Sequence, residues 1–134
     1  MSFDNRVYLG VDWGEKRIGL ALADGELRIA TPFKTVANLK ELAVVAKEEM
    51  VDILVLGKPM KMRGEEDGLN PDFLKFFDDL EGTLPDVKIE LIDERLTSQE
   101  ADARVGDKKI KASRDEVAAM IILQNYLDKL EVIN

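Results

Sequence analysis

Gly10-Val11-Asp12-Trp13-Gly14-Glu15-Lys16-Arg17-Ile18-Gly19 joins two apolar segments through a short polar turn. On its N-terminal side, Arg6 to Asp12 predicts a strand, with Val7, Leu9 and Val11 on one face and Tyr8, Gly10 and Asp12 on the other. Apolar residues on both faces suit a central strand covered on both sides. On its C-terminal side, Arg17 to Ala23 predicts a returning strand. Asp24-Gly25 signals a second hairpin, and Leu27 to Phe33 predicts a third strand that Pro32 confines to an edge. The chain thus opens as an antiparallel meander, with a carboxylate, Asp12, at the end of a strand expected to be buried.

Beyond the meander the period becomes helical. Asn38 caps a helix predicted over Leu39 to Met50, with Leu39, Leu42, Ala43, Ala46 and Met50 as its apolar stripe. Ile53 to Gly57 reads as a short buried strand, and Lys58 to Leu69 as a polar, mobile loop. Asn70 and Pro71 start a second helix, buried through Phe73, Phe76, Phe77 and Leu80 and closed by Gly82 and Pro85. Val87 to Ile92 is the last strand, followed by a short helix opened by Ser98 with Ala101 and Ala103, then a basic loop from Gly106 to Ala112. Ser113 to Leu130 is the clearest helix. Ser113 and Glu116 fit a capping box, and Ala118, Ala119, Ile122, Leu123, Tyr126, Leu127 and Leu130 form its stripe. Right-handed strand–helix–strand crossovers then predict an α/β fold. Its sheet is mixed and five-stranded, a three-stranded meander plus two parallel strands, with helices on both faces. No linker or repeat divides residues 1–134, so one domain is expected.

Composition narrows the chemistry. With 46% hydrophobic and 34% charged residues the chain suits a globular protein. It contains neither Cys nor His, which excludes disulfides, a cysteine nucleophile, a histidine base and the usual zinc sites. Carboxylates remain as ligands, and they favour hard ions such as Mg2+ or Mn2+. The net charge of −8, from 27 acids and 19 bases, argues against one broad basic surface but allows a local basic patch. No apolar run approaches the length of a membrane span and the N-terminus has no signal-peptide core, so the cytoplasm is expected and a membrane is not.

Acids interrupt the apolar pattern at Asp12, at Asp93-Glu94 and at Asp115. Taken singly, each has a plain structural explanation: a turn residue, a solvated strand end, a first-turn helix acid. Taken together they converge. Ligands in open α/β sheets gather beyond the C-terminal ends of strands, where Asp12 and Asp93-Glu94 would lie, and the first turn of the last helix can bring Asp115 alongside. Such a carboxylate group needs a compensating positive charge. One or two divalent ions provide it and suit phosphodiester cleavage. Side-chain alternation from Leu91 through Asp93 sends Asp93 and Glu94 to opposite faces, leaving both as candidates for the second acid. Lys16, Arg17, Lys58, Lys61, Arg63, Arg95, Lys108, Lys109 and Lys111 are candidate phosphate contacts, although charge runs of this size also suit a solvated surface.

Several ordered motifs carry a resemblance. Leu9-Gly10-Val11-Asp12-Trp13-Gly14-Glu15-Lys16-Arg17-Ile18-Gly19-Leu20-Ala21, Ala30-Thr31-Pro32, Gly57-Lys58-Pro59, Asp93-Glu94-Arg95-Leu96-Thr97-Ser98 and Asp115-Glu116-Val117-Ala118-Ala119 with Ile122-Leu123-Gln124-Asn125-Tyr126-Leu127 resemble the YqgF/RuvX family over residues 7–128. That family is described both as Holliday junction resolvases and as pre-16S ribosomal RNA nucleases. The resemblance implies an RNase H-like fold and metal-dependent cleavage by Asp12, Asp115 and an acid of the Asp93-Glu94 pair, with Glu94 preferred. It implies Mg2+ or Mn2+ as cofactor and precursor 16S rRNA as partner, with branched DNA as the alternative. A monomer or weak homodimer is expected. One segment departs from the pattern. The family's Asn-Met-Asp-Gly-Ser-Glu-Gly loop is here Met60-Lys61-Met62-Arg63-Gly64-Glu65-Glu66-Asp67-Gly68, which leaves the acids intact and alters the surroundings of the substrate.

Two other classes compete. The Asp-x-Gly turn and its hairpin also resemble the first phosphate motif of actin-like and sugar-kinase folds, but this chain is too short for their second domain and adenosine site. A non-catalytic ribosome-associated protein that kept the fold is the other; metal binding by the acids would distinguish it.

Overall fold

The computed structural model describes residues 4–58, 70–93 and 113–133, with 131–133 as backbone only. The described strands are β1 (Val7–Asp12), β2 (Ile18–Asp24), β3 (Thr31–Val36), β4 (Ile53–Lys58) and β5 (Lys88–Asp93). The described helices are α1 (Leu39–Glu48), α2 (Pro71–Thr83) and α3 (Arg114–Ile133). The strands form one sheet in the order β3-β2-β1-β4-β5. β1 is antiparallel to β2, and β2 to β3; β4 is parallel to both β1 and β5. This is the mixed sheet that the pattern predicts, with β1 at its centre and Pro32 on the edge strand β3.

Alternation along β1 sorts the core into two layers. Leu9 and Val11 join Leu54, Leu56, Leu42, Ala46, Phe73 and Leu80 beneath α1 and α2. Tyr8 joins Ala21, Ala23, Ile53, Val55, Ala119, Ile122, Leu123 and Leu127 beneath α3. Helices therefore cover both faces. Ala118, expected in the sheet-facing stripe of α3, instead forms a separate buried cluster with Val117 and Ile121.

Capping sets the helix ends. The Asn38 side chain accepts from the Glu41 amide at 3.0 Å, and the Asn70 side chain accepts from the Asp72 amide at 2.7 Å. α1 stops earlier than its apolar stripe suggests. Met50, expected to be buried, adopts φ 55° and is 77% exposed. The Met50 amide donates to Lys47 at 3.2 Å and the Val51 amide to Ala46 at 2.9 Å, the paired bonds of a Schellman motif.

The second hairpin is wider than Asp24-Gly25 suggests, and β3 begins at Thr31 rather than Leu27. Asp24 accounts for this by accepting from the Leu27 amide at 2.7 Å through its side chain and from the Arg28 amide at 2.9 Å through its carbonyl. Arg28 takes the left-handed conformation, φ 56°. Gln124 of α3 then holds the next residues out of the ladder, accepting from the Ala30 amide at 2.9 Å and donating to the Arg28 carbonyl at 3.1 Å.

Lys58, expected to open the mobile loop over Lys58 to Leu69, is instead the last residue of β4, because it continues the parallel ladder opposite Asp93; the rest of that loop, the short helix near Ser98 and the basic loop over 106–112 lie outside the described residues. No described helix is long and apolar enough to cross a membrane.

Candidate active site

Asp12 is the last residue of β1, and the strand register determines what lies beside it. Asp12 pairs with Gly19, and Gly19 pairs with Thr35, so the three form one row across β1, β2 and β3. The first turn of α3 rests on this row. A Cβ at Gly19 would overlap the backbone carbonyl of Asp115, so only glycine leaves room for the helix there. One step along, a Cβ at Gly10 would lie 2.6 Å from the Ala119 carbonyl oxygen and 2.7 Å from the Leu123 Cβ. Glycines in the strands, together with Ala119 in the helix, let α3 sit close to the sheet.

Hydrogen bonds hold the same turn from the other side. The Thr35 hydroxyl donates to the Glu116 carboxylate at 2.9 Å and lies 3.3 Å from the Ser113 hydroxyl. The Glu116 amide donates to Ser113 Oγ at 3.3 Å. Only half of the expected capping box therefore forms, because Thr35 engages the Glu116 carboxylate. Thr35 went unnoticed in the sequence; its role follows from its register with Gly19, which no local motif encodes.

Asp115 is thus delivered to the residue that pairs with Asp12. Arg17, the last residue of the β1–β2 turn, donates through Nε to Asp115 Oδ2. The two ends of this pair differ: the Arg17 side chain is 67% exposed and that of Asp115 24%. Trp13, the residue after Asp12, packs edge-on against Phe73 at 5.6 Å and beside Phe76 at 6.2 Å, anchoring the turn to α2. Asn70 at the start of α2 donates to Glu15 of that turn at 3.5 Å. Trp13 and Asn70, which the sequence marks only as a motif residue and a helix cap, thus also hold the turn beside Asp12.

The C-terminal ends of β1, β4 and β5 lie together because these strands are parallel neighbours. They carry Asp12, Lys58 and Asp93 respectively. Gly57 pairs with Ile92, and Lys58 with Asp93. Ile92 packs in the layer beneath α3, so alternation turns the exposed Asp93 toward the other face, beside Lys58. Lys16 and Arg17 are exposed in the β1–β2 turn at this same end of the sheet. Glu94, Lys61, Arg63, Arg95, Lys108, Lys109 and Lys111 lie outside the described residues. Among the described residues no three acids stand close enough together to hold an ion; of the acids predicted from the sequence, Asp115 lies over Gly19, the strand partner of Asp12.

The opposite end of the sheet holds a different arrangement. Asp4 accepts from the Arg6 amide at 3.0 Å, Arg6 Nε at 2.8 Å, Arg6 Nη2 at 2.9 Å and the Tyr8 hydroxyl at 2.8 Å. The Arg6 guanidinium holds the Asp4 carboxyl far below the usual carboxylate range, against the opposing pull of burial. Burial, with donation to Asp4, pushes the Tyr8 hydroxyl up to about 12. The Asp4 carboxylate occupies the space that a Cβ at Gly25 would need, so it ties the N-terminal segment to the β2–β3 hairpin. A pocket of about 370 Å³ also lies at this end, lined by Val7, Leu22, Ala23, Asp24, Leu27, Ile29 and Thr31. It contains a single carboxylate, already engaged with the Leu27 amide, and so lacks the makings of a metal centre.

Comparison with known proteins adds the family context. Residues 6–129 match the family model described as "RuvX: Holliday junction resolvase". A protein of Endomicrobium trichonymphae named "Putative pre-16S rRNA nuclease" is 40% identical over 92% of this chain and 96% of its own length. One of the same name from Chloroflexus aurantiacus is 39% identical over 93% of this chain and 88% of its own. Among solved structures, Thermus thermophilus RuvC in complex with a Holliday junction substrate superposes with a TM-score of 0.62 at 12% identity, covering 94% of this chain and 96% of that one. That likeness shows a shared fold, the RNase H-like one expected.

Proposed function

The chain belongs to the RuvX family, and from that premise we propose that it is a metal-dependent nuclease whose substrate is the 5′ region of precursor 16S rRNA. The observation that carries the reading is the seating of α3: its first turn sets Asp115 over Gly19, the strand partner of Asp12. Two acids distant in sequence are thereby carried by neighbouring positions at the end of the sheet where α/β folds bind ligands, which supports the reading.

Glu94 is the proposed third acid. With Ile92 beneath α3 and Asp93 on the far face, alternation favours Glu94 over Asp93 for the side that Asp12 occupies. Asp12, Glu94 and Asp115 would hold Mg2+ or Mn2+. When bound, such an ion supplies the positive charge that activates water and stabilises the leaving oxygen in phosphodiester hydrolysis. The chain's own residues orient the site. Trp13 fixes the turn after Asp12 against α2, Gly19 and Thr35 fix the turn bearing Asp115, and Lys16, Arg17 and Lys58 face the nucleic-acid backbone. The proposed setting is the cytoplasm, with the protein acting as a monomer or weak homodimer.

RNA is preferred because relatives of about 40% identity over nearly their whole length carry the pre-16S name. The second reading, cleavage of branched DNA, is favoured by the description of the family model. A side-by-side assay with Mg2+ or Mn2+ on 5′-extended 16S rRNA and on four-way DNA junctions separates them. Cleavage of the RNA with the junction intact is expected. The reverse result would replace RNA by DNA, and inertness on both would remove the enzymatic reading.

A further inference from the structure

We infer that Arg17 exchanges partners, neutralising Asp115 in the metal-free site and turning to a backbone phosphate of the nucleic acid once a divalent ion is held there. The inference rests on the proposal that Asp115 is a metal ligand.

The two halves of the Arg17–Asp115 pair are held very differently. Asp115 is fixed on a helix turn seated over Gly19, with the neighbouring Ser113 and Glu116 bound to Thr35. Arg17 is fixed only at its backbone. A Cβ at Gly14 would lie 2.8 Å from the Arg17 carbonyl oxygen, so the turn closes tightly there, and the next residue, Ile18, is 2% exposed. The guanidinium itself stands in solvent and makes its one hydrogen bond among the described residues to Asp115 Oδ2.

A bound divalent ion and a guanidinium are like charges competing for one carboxylate. The solvent-exposed partner yields, and leaving costs little because a pair with an exposed arginine contributes little. A guanidinium released at the rim of a metal site has a planar fork of donors that matches a phosphate. Lys16, exposed beside it, adds to the attraction for a polyanion. Arg17 is thereby a substrate-positioning residue that becomes available only after the ion is in place.

The test uses the full chain and three variants. Mn2+ affinity without nucleic acid is measured by isothermal titration for wild type, Arg17→Gln, Arg17→Lys and Asp115→Asn. Salt dependence of binding to a labelled RNA duplex is then measured at saturating Mg2+. Arg17→Gln is expected to bind Mn2+ about two- to five-fold tighter, the gain from removing a weak exposed competitor, and Arg17→Lys to stay near wild type. With Mg2+ present, the salt slope for RNA should fall by about one in Arg17→Gln, as for one lost phosphate contact. Equal or weaker Mn2+ binding by Arg17→Gln, while Asp115→Asn loses the ion, overturns the exchange and leaves the metal site standing. An unchanged salt slope overturns the phosphate half. Unchanged Mn2+ binding by Asp115→Asn removes the metal reading and the exchange with it.

Discussion

An aspartate meets an arginine at each end of the same sheet, and the two pairs do opposite things. At the N-terminal end of β1, the Asp4 side chain is 11% exposed and receives hydrogen bonds from the Arg6 amide, the Arg6 guanidinium and the Tyr8 hydroxyl. Its oxygens are engaged by the protein, and the group acts as a clamp. At the C-terminal end, Asp115 gives one oxygen, among the described residues, to one solvent-exposed arginine. A carboxylate saturated by its own chain stabilises the fold; one held chiefly by an exposed cation is open to exchange with a ligand. The acid alone does not identify a site. The number and exposure of its partners do.

The largest effect that sharpens this contrast is on catalysis. Asp115→Asn should lower cleavage by more than the roughly 10–100-fold typical of changes to supporting residues around a metal, with little change in melting temperature. Asp4→Asn should leave cleavage per folded molecule unchanged. Rates normalised to the folded fraction check both; equal losses would erase the distinction.

Next comes the seat of α3. Gly19→Ala should destabilise by about 1–3 kcal/mol, as overpacking does, and reduce Mn2+ affinity as the first turn lifts. Gly82→Ala is the control. Nothing lies within 4 Å of its added Cβ inside α2, so it should stabilise by roughly 0.5–1 kcal/mol. Chemical denaturation measures each.

The clamp predicts a pH signature. The folded carboxyl of Asp4 titrates well below its unfolded value, so its stabilisation is complete above about pH 4 and is lost as pH falls toward the folded value. Asp4→Asn should cost about 1–2 kcal/mol at neutral pH, a charged hydrogen bond discounted for the half-exposed Arg6, and should flatten the acid limb. Tyr8 works in the other direction. Its folded value is raised to about 12, so its contribution holds below the unfolded value and is lost as pH rises toward 12. Tyr8→Phe should flatten that alkaline limb. Denaturation midpoints across pH test both signs.

The smallest effect concerns the support of Asp115. Thr35→Ala should cost about 0.5–1.5 kcal/mol, one side-chain hydrogen bond, and weaken Mn2+ binding, with Thr35→Ser restoring both. Full Mn2+ affinity in Thr35→Ala would mean that the bond to Glu116 stabilises the helix without orienting Asp115.

The sequence foretold much of this because local patterns determined it. The alternation of Val7 to Asp12, the edge position of Pro32 and the caps at Asn38 and Asn70 follow from strand period, proline chemistry and helix-end hydrogen bonding. Asp12 stood out because a carboxylate ended a strand that should be buried. What sequence could not display was register. Gly19 reads as one more residue of the returning strand until it is seen to pair with Asp12 and carry Asp115, and Thr35, beyond the predicted end of the third strand, has no evident role until Gly19 is its partner. Met50 was misplaced because an apolar stripe does not reveal a left-handed residue closing the helix. The start of β3 was misplaced because Gln124, 94 residues from Ala30, competes for its backbone.

Asp12 is proposed to anchor a metal-dependent nuclease site, and the decisive measurement incubates 5′-extended 16S precursor rRNA with wild type and Asp12→Asn, with and without Mn2+. Wild type is expected to cleave only when the ion is present, and the folded Asp12→Asn variant to lose cleavage. Equal, Mn2+-dependent cleavage by the two proteins would contradict that role.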